Sequence, residues 1–271
     1  MRRVTRSFAL LLAFALLVSV FAIGGCAKKE PAAEEPAAKP TYTLVSEGKI
    51  TVGSDTSFPP FESMTGDVAE GFDVDLMTAI GKELGLAVEF KTETFDTLVP
   101  TLKAGGKFDV IASGMFITDE RKQSIDFSDE YGVANQGVAV KNGSAIASLD
   151  DLAGKKIAVQ SGTTGEEWVK ENAKGATIVP FKTATDQIVA LQAGNVEAAV
   201  NDSPVMQYLV MDPAKGLKIA AEAPTAELYG FGVSKDNPDL LKGINDALAK
   251  LKASGEYAAI YKKWFGVEPT N

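Results

Sequence analysis

Arg121 stands where a helix does not favour it. In Thr118-Asp119-Glu120-Arg121 the threonine reads as an N-cap, with two acids in the first turn where the helix dipole favours negative charge. A cation there calls for an anion nearby, and a guanidinium presents the paired donors that a carboxylate accepts bidentately. An arginine in a surface salt bridge is the other reading. Gly162-Thr163-Thr164 precedes a helix on a different part of the chain, so its backbone N–H groups can hold an anion. A Gly-rich turn capped by Thr164 fits the same residues. Asp202-Ser203-Pro204 is a helix start with Asp202 at the N-cap. Asp73 and Asp75 lie at i, i+2, share no helical face and make a poor carboxylate pair. Most other acids read as solvated surface.

Composition removes several chemistries. The 271 residues contain no histidine and one cysteine, Cys26. That excludes Ser–His and Cys–His catalysis, zinc sites built on histidine or paired cysteines, and an intrachain disulfide. No cofactor and no metal is expected. A net charge of −9 argues against a nucleic-acid partner. The many carboxylates leave general-acid chemistry open.

The elements that must position these residues follow a repeating order. Lys49–Val52 reads as a strand, and Leu76, Met77, Ile80 and Leu84 share a helical face that ends at Gly85. A strand at Ala87–Lys91, a helix at Thr97–Ala104 and a strand at Phe108–Ile111 complete a βαβαβ run, which implies a parallel sheet covered by helices. Lys156–Ser161 echoes Lys49–Ser54 and begins the order again. Helices near Glu166–Asn172 and Thr185–Ala193 follow, with strands near Ile178–Pro180 and Ala198–Val200. Two similar α/β lobes are expected, with sites outside the carboxyl ends of their strands. Gly230–Ser234 reads as a further strand. A helix from Asn237-Pro238 to Gly255 carries a Leu/Ile stripe, and a short helix carries Tyr257, Ile260, Tyr261 and Trp264.

The N-terminus has its own pattern. Arg2, Arg3 and Arg6 precede an apolar run from Phe8 to Ile23, broken by Ser19 and closed by Ile23-Gly24-Gly25-Cys26. Residues 1–25 read as a signal peptide, and the four closing residues resemble a bacterial lipobox with Cys26 as the acylated residue. Two or more acyl chains, each CH₂ contributing about 0.8 kcal/mol, anchor a protein durably. Cleavage removes three arginines and no acids, leaving a still more acidic chain. Residues 26–45, rich in Ala, Pro, Glu and Lys, read as a disordered tether.

Six segments in order resemble the polar amino-acid family of solute-binding proteins. They are Gly53–Glu62, Gly71–Leu76, Ile117–Lys122 with Ile125–Ser128, Gln160–Gly165, Asn201–Pro204 and Tyr261–Gly266. The likeness spans about 49–269 and is strongest toward binders of glutamine and basic amino acids. It implies an α/β, two-lobed periplasmic-binding-protein-like fold of type II, each lobe a parallel-type sheet flanked by helices. Lobe 1 is then 46–131 plus 230–271 and lobe 2 is 136–225, with hinges near Tyr131–Asn135 and Thr225–Tyr229. It further implies that Arg121, Thr163 and Thr164 take a ligand carboxylate and Asp202 its ammonium. Asp55, Phe58, Phe95 and Gln160 form the side-chain end, and Gly114 faces the cleft.

One position departs from the family. Phe116 stands where Thr or Ser usually contacts the ligand ammonium. If Ala112–Thr118 is extended, parity puts Phe116 on the face of Gly114, as an aromatic wall, with Met115 and Ile117 opposite. The partners implied are a free polar amino acid, a membrane permease with its ATPase, and the membrane through the lipid anchor. The protein is expected to be monomeric and to sit outside the cytoplasmic membrane, in the periplasm or on the cell surface. A dehydratase-like enzyme on the same fold and a ligand-sensing domain are the competing readings.

Overall fold

The structure, a computed structural model, describes residues 42–269. The expected signal peptide, Cys26 and the tether as far as residue 41 lie outside them. From Tyr42 onward the chain is already docked: the Tyr42 ring lies against Gly243, the Thr43 carbonyl accepts from Asn237, and the Val45 N–H donates to Asp109 at 2.7 Å.

The first run comprises β1 (Lys49–Ser54), the short strands β2 (Ser57–Phe58), β3 (Glu62–Thr65) and β4 (Val68–Glu70), helix α1 (Phe72–Leu84), β5 (Ala87–Thr92), α2 (Phe95–Ala104), β6 (Val110–Ile111), α3 (Asp119–Lys122) and β7 (Asp126–Phe127). The chain then crosses on β8 (Gly132–Lys141) into β9 (Lys156–Gln160), α4 (Thr164–Asn172), β10 (Thr177–Phe181), α5 (Ala184–Ala193), β11 (Ala198–Asp202) and α6 (Ser203–Val210). It returns on β12 (Leu217–Tyr229) and ends in β13 (Gly232–Val233), α7 (Pro238–Ser254) and α8 (Glu256–Phe265). No helix among the described residues is long and apolar enough to cross a membrane.

Two five-stranded sheets result, ordered β5-β1-β6-β13-β7 and β10-β9-β11-β8-β12. In each, three strands run parallel, as the βαβαβ pattern requires. The remaining two come from later or crossing chain and break the parallel order: β13 is antiparallel to β6 and β7, and β8 to β11 and β12. The α1 stripe of Leu76, Met77 and Ile80 is completely buried, and Gly85 ends the helix in the left-handed region at φ 72°. Leu240, Ile244, Leu248 and Leu251 of α7 pack into the same core. Each such side chain contributes about 1.5–3 kcal/mol by leaving water.

Three local features depart from the sequence reading. The third strand begins at Val110, not Phe108, because the Asp109 carboxylate turns to accept the Thr51 N–H at 2.8 Å and the Val45 N–H. The strand expected at Gly230–Ser234 contracts to Gly232–Val233. The β2-β3-β4 sheet, whose strands are two to four residues long, has too little alternation to be seen in sequence.

The crossing strands β8 and β12 pair with each other along most of their length. Gly132 opposes Tyr229 and Ala134 opposes Glu227, but Gln136 opposes Ala223, so the register shifts between Ala223 and Glu227. Ala226 sits in that bulge at φ 50°, a region rare for residues with a Cβ, and its N–H donates to Asn135 Oδ1 at 3.1 Å.

Candidate functional site

The carboxyl ends of β1, β6, β9 and β11 face one another from the two sheets, and the segments leaving them carry the residues singled out above. Phe58, Gly114, Phe116 and Asp202 line one cavity, together with Phe95, Arg121, Thr163 and Thr164. The space among them is tight and partly open to solvent, about 180 Å³ between atoms. Eight of the ten expected site residues therefore converge. Asp55 and Gln160 lie behind them and meet each other: Gln160 Nε2 donates to Asp55 Oδ2 at 2.5 Å, linking one sheet's end to the other's. Gln160 is fixed in turn by the Lys182 carbonyl and by Asn201 Nδ2.

Thr118 caps α3 as expected, accepting from the Arg121 N–H at 3.2 Å. The guanidinium then reaches back. Nη1 donates to the Phe116 carbonyl at 2.7 Å and Nη2 to the Gly162 carbonyl at 3.0 Å, spanning both sides of the cleft. It lies over the Phe95 ring, 5.3 Å from the centroid. Arg121 is in none of the ion pairs found among the described residues, so the surface salt-bridge reading does not apply. Burial pulls the guanidinium below its ordinary range, with Asp202 the largest opposing charge.

The cap of α4 is Thr163, one residue earlier than the sequence suggested. Its Oγ1 accepts the Glu166 N–H, while Glu166 Oε2 reaches back to the Gly162 N–H at 2.8 Å. That uses two donors of the turn. The N–H groups of Thr164 and Gly165, in the first turn, have no acceptor within the helix and are the ones available to an anion.

Asp202 does not cap α6 with its side chain, although it holds the N-cap position. Its carboxylate instead accepts from Tyr229 Oη at 2.8 Å and Gln136 Nε2 at 3.3 Å. Burial raises its pKa to about 7; the Tyr229 bond opposes that shift and Glu227 reinforces it. Asp55 is likewise raised to about 7, chiefly by burial.

The segment before α3 is not extended. Gly114 adopts φ 47°, and a Cβ there would lie 2.8 Å from the Phe58 ring, so glycine is required on both counts. The parity argument fails at that turn, yet Phe116 does reach the cavity. Its ring stacks on Tyr229 at 4.2 Å and 15°, while Met115 lines the open cleft next door. That cleft also carries Asp96, Glu120 and Glu167, and Arg121 is the only cation lining either space among the described residues.

Sequence reasoning missed Tyr229 and Gln136, whose polar groups hold Asp202, and Glu62 and Asp73, which are completely buried acids. Glu62 was visible only as the end of an apolar Phe-Pro-Pro-Phe run. Asp75, by contrast, stays near the surface, bonded to Lys263 and Trp264.

Comparison with known proteins agrees with this geometry. The model of the bacterial extracellular solute-binding proteins, family 3, matches residues 50–267. A probable histidine-binding protein of Neisseria gonorrhoeae is 39% identical over 265 residues, covering 95% of this chain and 96% of that protein. The ABC transporter glutamine-binding protein GlnH of Bacillus subtilis (strain 168) is 33% identical, with coverage of 93% and 96%. Among solved structures, an ancestral arginine-binding protein bound to glutamine superposes with a TM-score of 0.78 at 44% identity, covering 82% of this chain and 100% of that one.

Proposed function

This chain belongs to the bacterial extracellular solute-binding proteins, family 3, and from that premise we propose that it captures a free polar L-amino acid between two lobes and delivers it to the permease of an ABC importer. The observation that carries the reading is the convergence of complementary groups in one cavity: the Arg121 guanidinium and the first-turn N–H groups of α4 on one side, the buried Asp202 carboxylate on the other. An α-amino acid presents a carboxylate to the first set and an ammonium to the second, and charge-assisted bonds to each are the strong ones.

On this reading lobe 1 is 46–131 plus 230–271 and lobe 2 is 136–225. The lobes close by rotation about the crossing strands β8 and β12, where the register shift at Ala223–Glu227 lets the pairing adjust. Thr163 and Thr164 frame the ligand carboxylate, Phe58 and Phe116 wall the side chain, Phe95 stacks on Arg121, and Asp55 with Gln160 receives the distal end. The ligand is glutamine or a basic amino acid, because Asp96, Glu120 and Glu167 line the open cleft and Asp55 lies behind the cavity, against one lining cation among the described residues. Cys26 carries the lipid that holds the protein on the extracytoplasmic face, and the protein acts as a monomer without a cofactor.

Native mass spectrometry of the purified protein, followed by calorimetric titration with the twenty amino acids, tests the assignment. One-to-one binding of arginine, lysine or glutamine is expected. Binding of none, or a preference for aspartate or glutamate, overturns it. Prolonged incubation should return the ligand unchanged, which separates a binder from a dehydratase-like enzyme.

A further inference from the structure

Behind the floor of the cleft lie two carboxyl groups that do not themselves line the cavity. Glu62 and Asp73 are each completely buried. Their segments run side by side, joined by bonds from the Phe72 N–H to the Pro60 carbonyl and from the Asp73 N–H to the Phe61 carbonyl, both 2.9 Å. Each carboxyl is half used. Glu62 Oε1 accepts from Ser113 Oγ at 2.6 Å. Asp73 Oδ2 accepts the Gly114 N–H at 2.8 Å and Tyr131 Oη at 2.9 Å. The other oxygen of each, Glu62 Oε2 and Asp73 Oδ1, receives no hydrogen bond among the described residues. Two bare anionic oxygens so deeply buried are strongly unfavourable, and neighbouring carboxylates with no cation between them do not both ionise.

We propose that the Glu62–Asp73 acid pair holds a single proton between its two carboxyl groups, and that it positions the cleft floor through Ser113 and Gly114. That proton removes one of the two negative charges and gives the pair a donor. It leaves Oε1 and Oδ2 free to accept. The hydroxyl proton of Ser113 goes to Glu62, so its oxygen is turned to accept the Asp55 N–H at 2.9 Å, fixing the end of β1. The bond from Gly114 to Asp73 holds the left-handed turn from which Gly114 and Phe116 reach the cavity.

Among the described residues, the groups facing the pair include no cation. They are Asp55 at the end of β1, Asp202 at the end of β11, and the phenols of Tyr131 and Tyr229 on the crossing strands. Burial and repulsion from Asp73 push Glu62 well above the usual carboxylate range; burial raises Asp73 to about 7. The value of this floor to a bound amino acid rests on the function proposed above. The proton itself does not.

Infrared spectroscopy of the ligand-free protein in heavy water tests the proton directly. A protonated-carboxyl band should persist at about pH 9, two units above the range where Asp55 and Asp202 ionise. It should survive in the D55N/D202N double variant and vanish in E62Q. Absence of the band in the unaltered protein at that pH, or its persistence in E62Q, overturns the shared proton. Amide hydrogen exchange tests the positioning. E62A should lose protection at the Asp55 and Gly114 amides by about tenfold or more, and the neutral, isosteric E62Q should restore most of it. Equal protection in E62A and the unaltered protein, or equal loss in both variants, overturns that role. Neither readout needs a ligand, so each stands or falls apart from the amino-acid assignment.

Discussion

Tyr229 Oη donates to Asp202 Oδ2 at 2.8 Å, so a hydroxyl at the end of a crossing strand sets the direction of the carboxylate at the end of β11. The same ring stacks on Phe116 at 4.2 Å, joining the two sides of the cavity through one side chain. Tyr229→Phe keeps the stack and deletes the bond. A hydrogen bond to a charged group contributes about 1.5–3 kcal/mol, so amino-acid affinity should fall roughly ten- to hundredfold in calorimetry. Unaltered affinity would show that Tyr229 does not orient the anchor.

Arg121→Ala and Asp202→Ala each leave an opposing charge without its partner in a buried site. Each should weaken binding by on the order of 2–5 kcal/mol. Arg121→Lys should recover only part of the loss, because an ammonium cannot reach the Phe116 and Gly162 carbonyls and a ligand carboxylate with one fork. Full recovery by lysine would mean that charge alone matters at this position.

Acidity should act on binding and on stability in opposite senses. Asp202 ionises at about 7 in the ligand-free protein, and a ligand ammonium needs it ionised. Affinity should therefore fall about tenfold per unit as pH drops below about 7, and Asp202→Asn should abolish that slope along with most of the affinity. For the ligand-free fold, Asp55 and Asp202 hold protons that the unfolded chain releases near 4. Their stabilising contribution is complete below about 4 and is lost as pH rises through about 7. Urea unfolding between about pH 4 and 8 measures this, and stability rising across that window would contradict the assigned environments.

Phe116→Thr restores a hydroxyl at the cavity and removes the ring that covers Tyr229. The hydroxyl should help every amino acid alike, and loss of the aromatic face should penalise arginine and lysine by about 0.5–2 kcal/mol. Glutamine should gain relative to arginine, while the unfolding temperature drops because a buried phenylalanine is truncated. Equal shifts for all three ligands would show that the ring is no wall.

Cys26→Ser should leave precursor unprocessed and abolish incorporation of a fatty-acid analogue in cells. Normal acylation of that variant would show that the anchor lies elsewhere.

Much of the architecture was legible because the core helices are strongly periodic: the α1 and α7 stripes and their glycine stops stand in the sequence as they stand in the fold. Gathering the site was harder. Arg121 announced itself through a local conflict, a cation in the first turn of a helix, and that conflict is resolved by carbonyls 5 and 41 residues away. Asp202 gave the opposite lesson, since a good N-cap sequence hid a carboxylate turned elsewhere by Tyr229 and Gln136. Parity failed at Gly114 because one left-handed residue resets alternation, and nothing in the residue types announced that turn before its contact with Phe58 was known. Burial of Glu62 and Asp73 is a property of long-range packing, which spacing along a helix does not report.

The bond between Gln160 and Asp55 has a cost for transport. Together with Arg121 on the Gly162 carbonyl and Lys182 on Asp96, it ties the ends of the two sheets to each other across the cleft. On the proposed closure, an amino acid entering the cleft must exchange these bonds for its own, so part of its interaction energy goes into releasing them. Affinity therefore reports the difference between the bonds an amino acid makes and the ones it replaces, not the sum of its contacts.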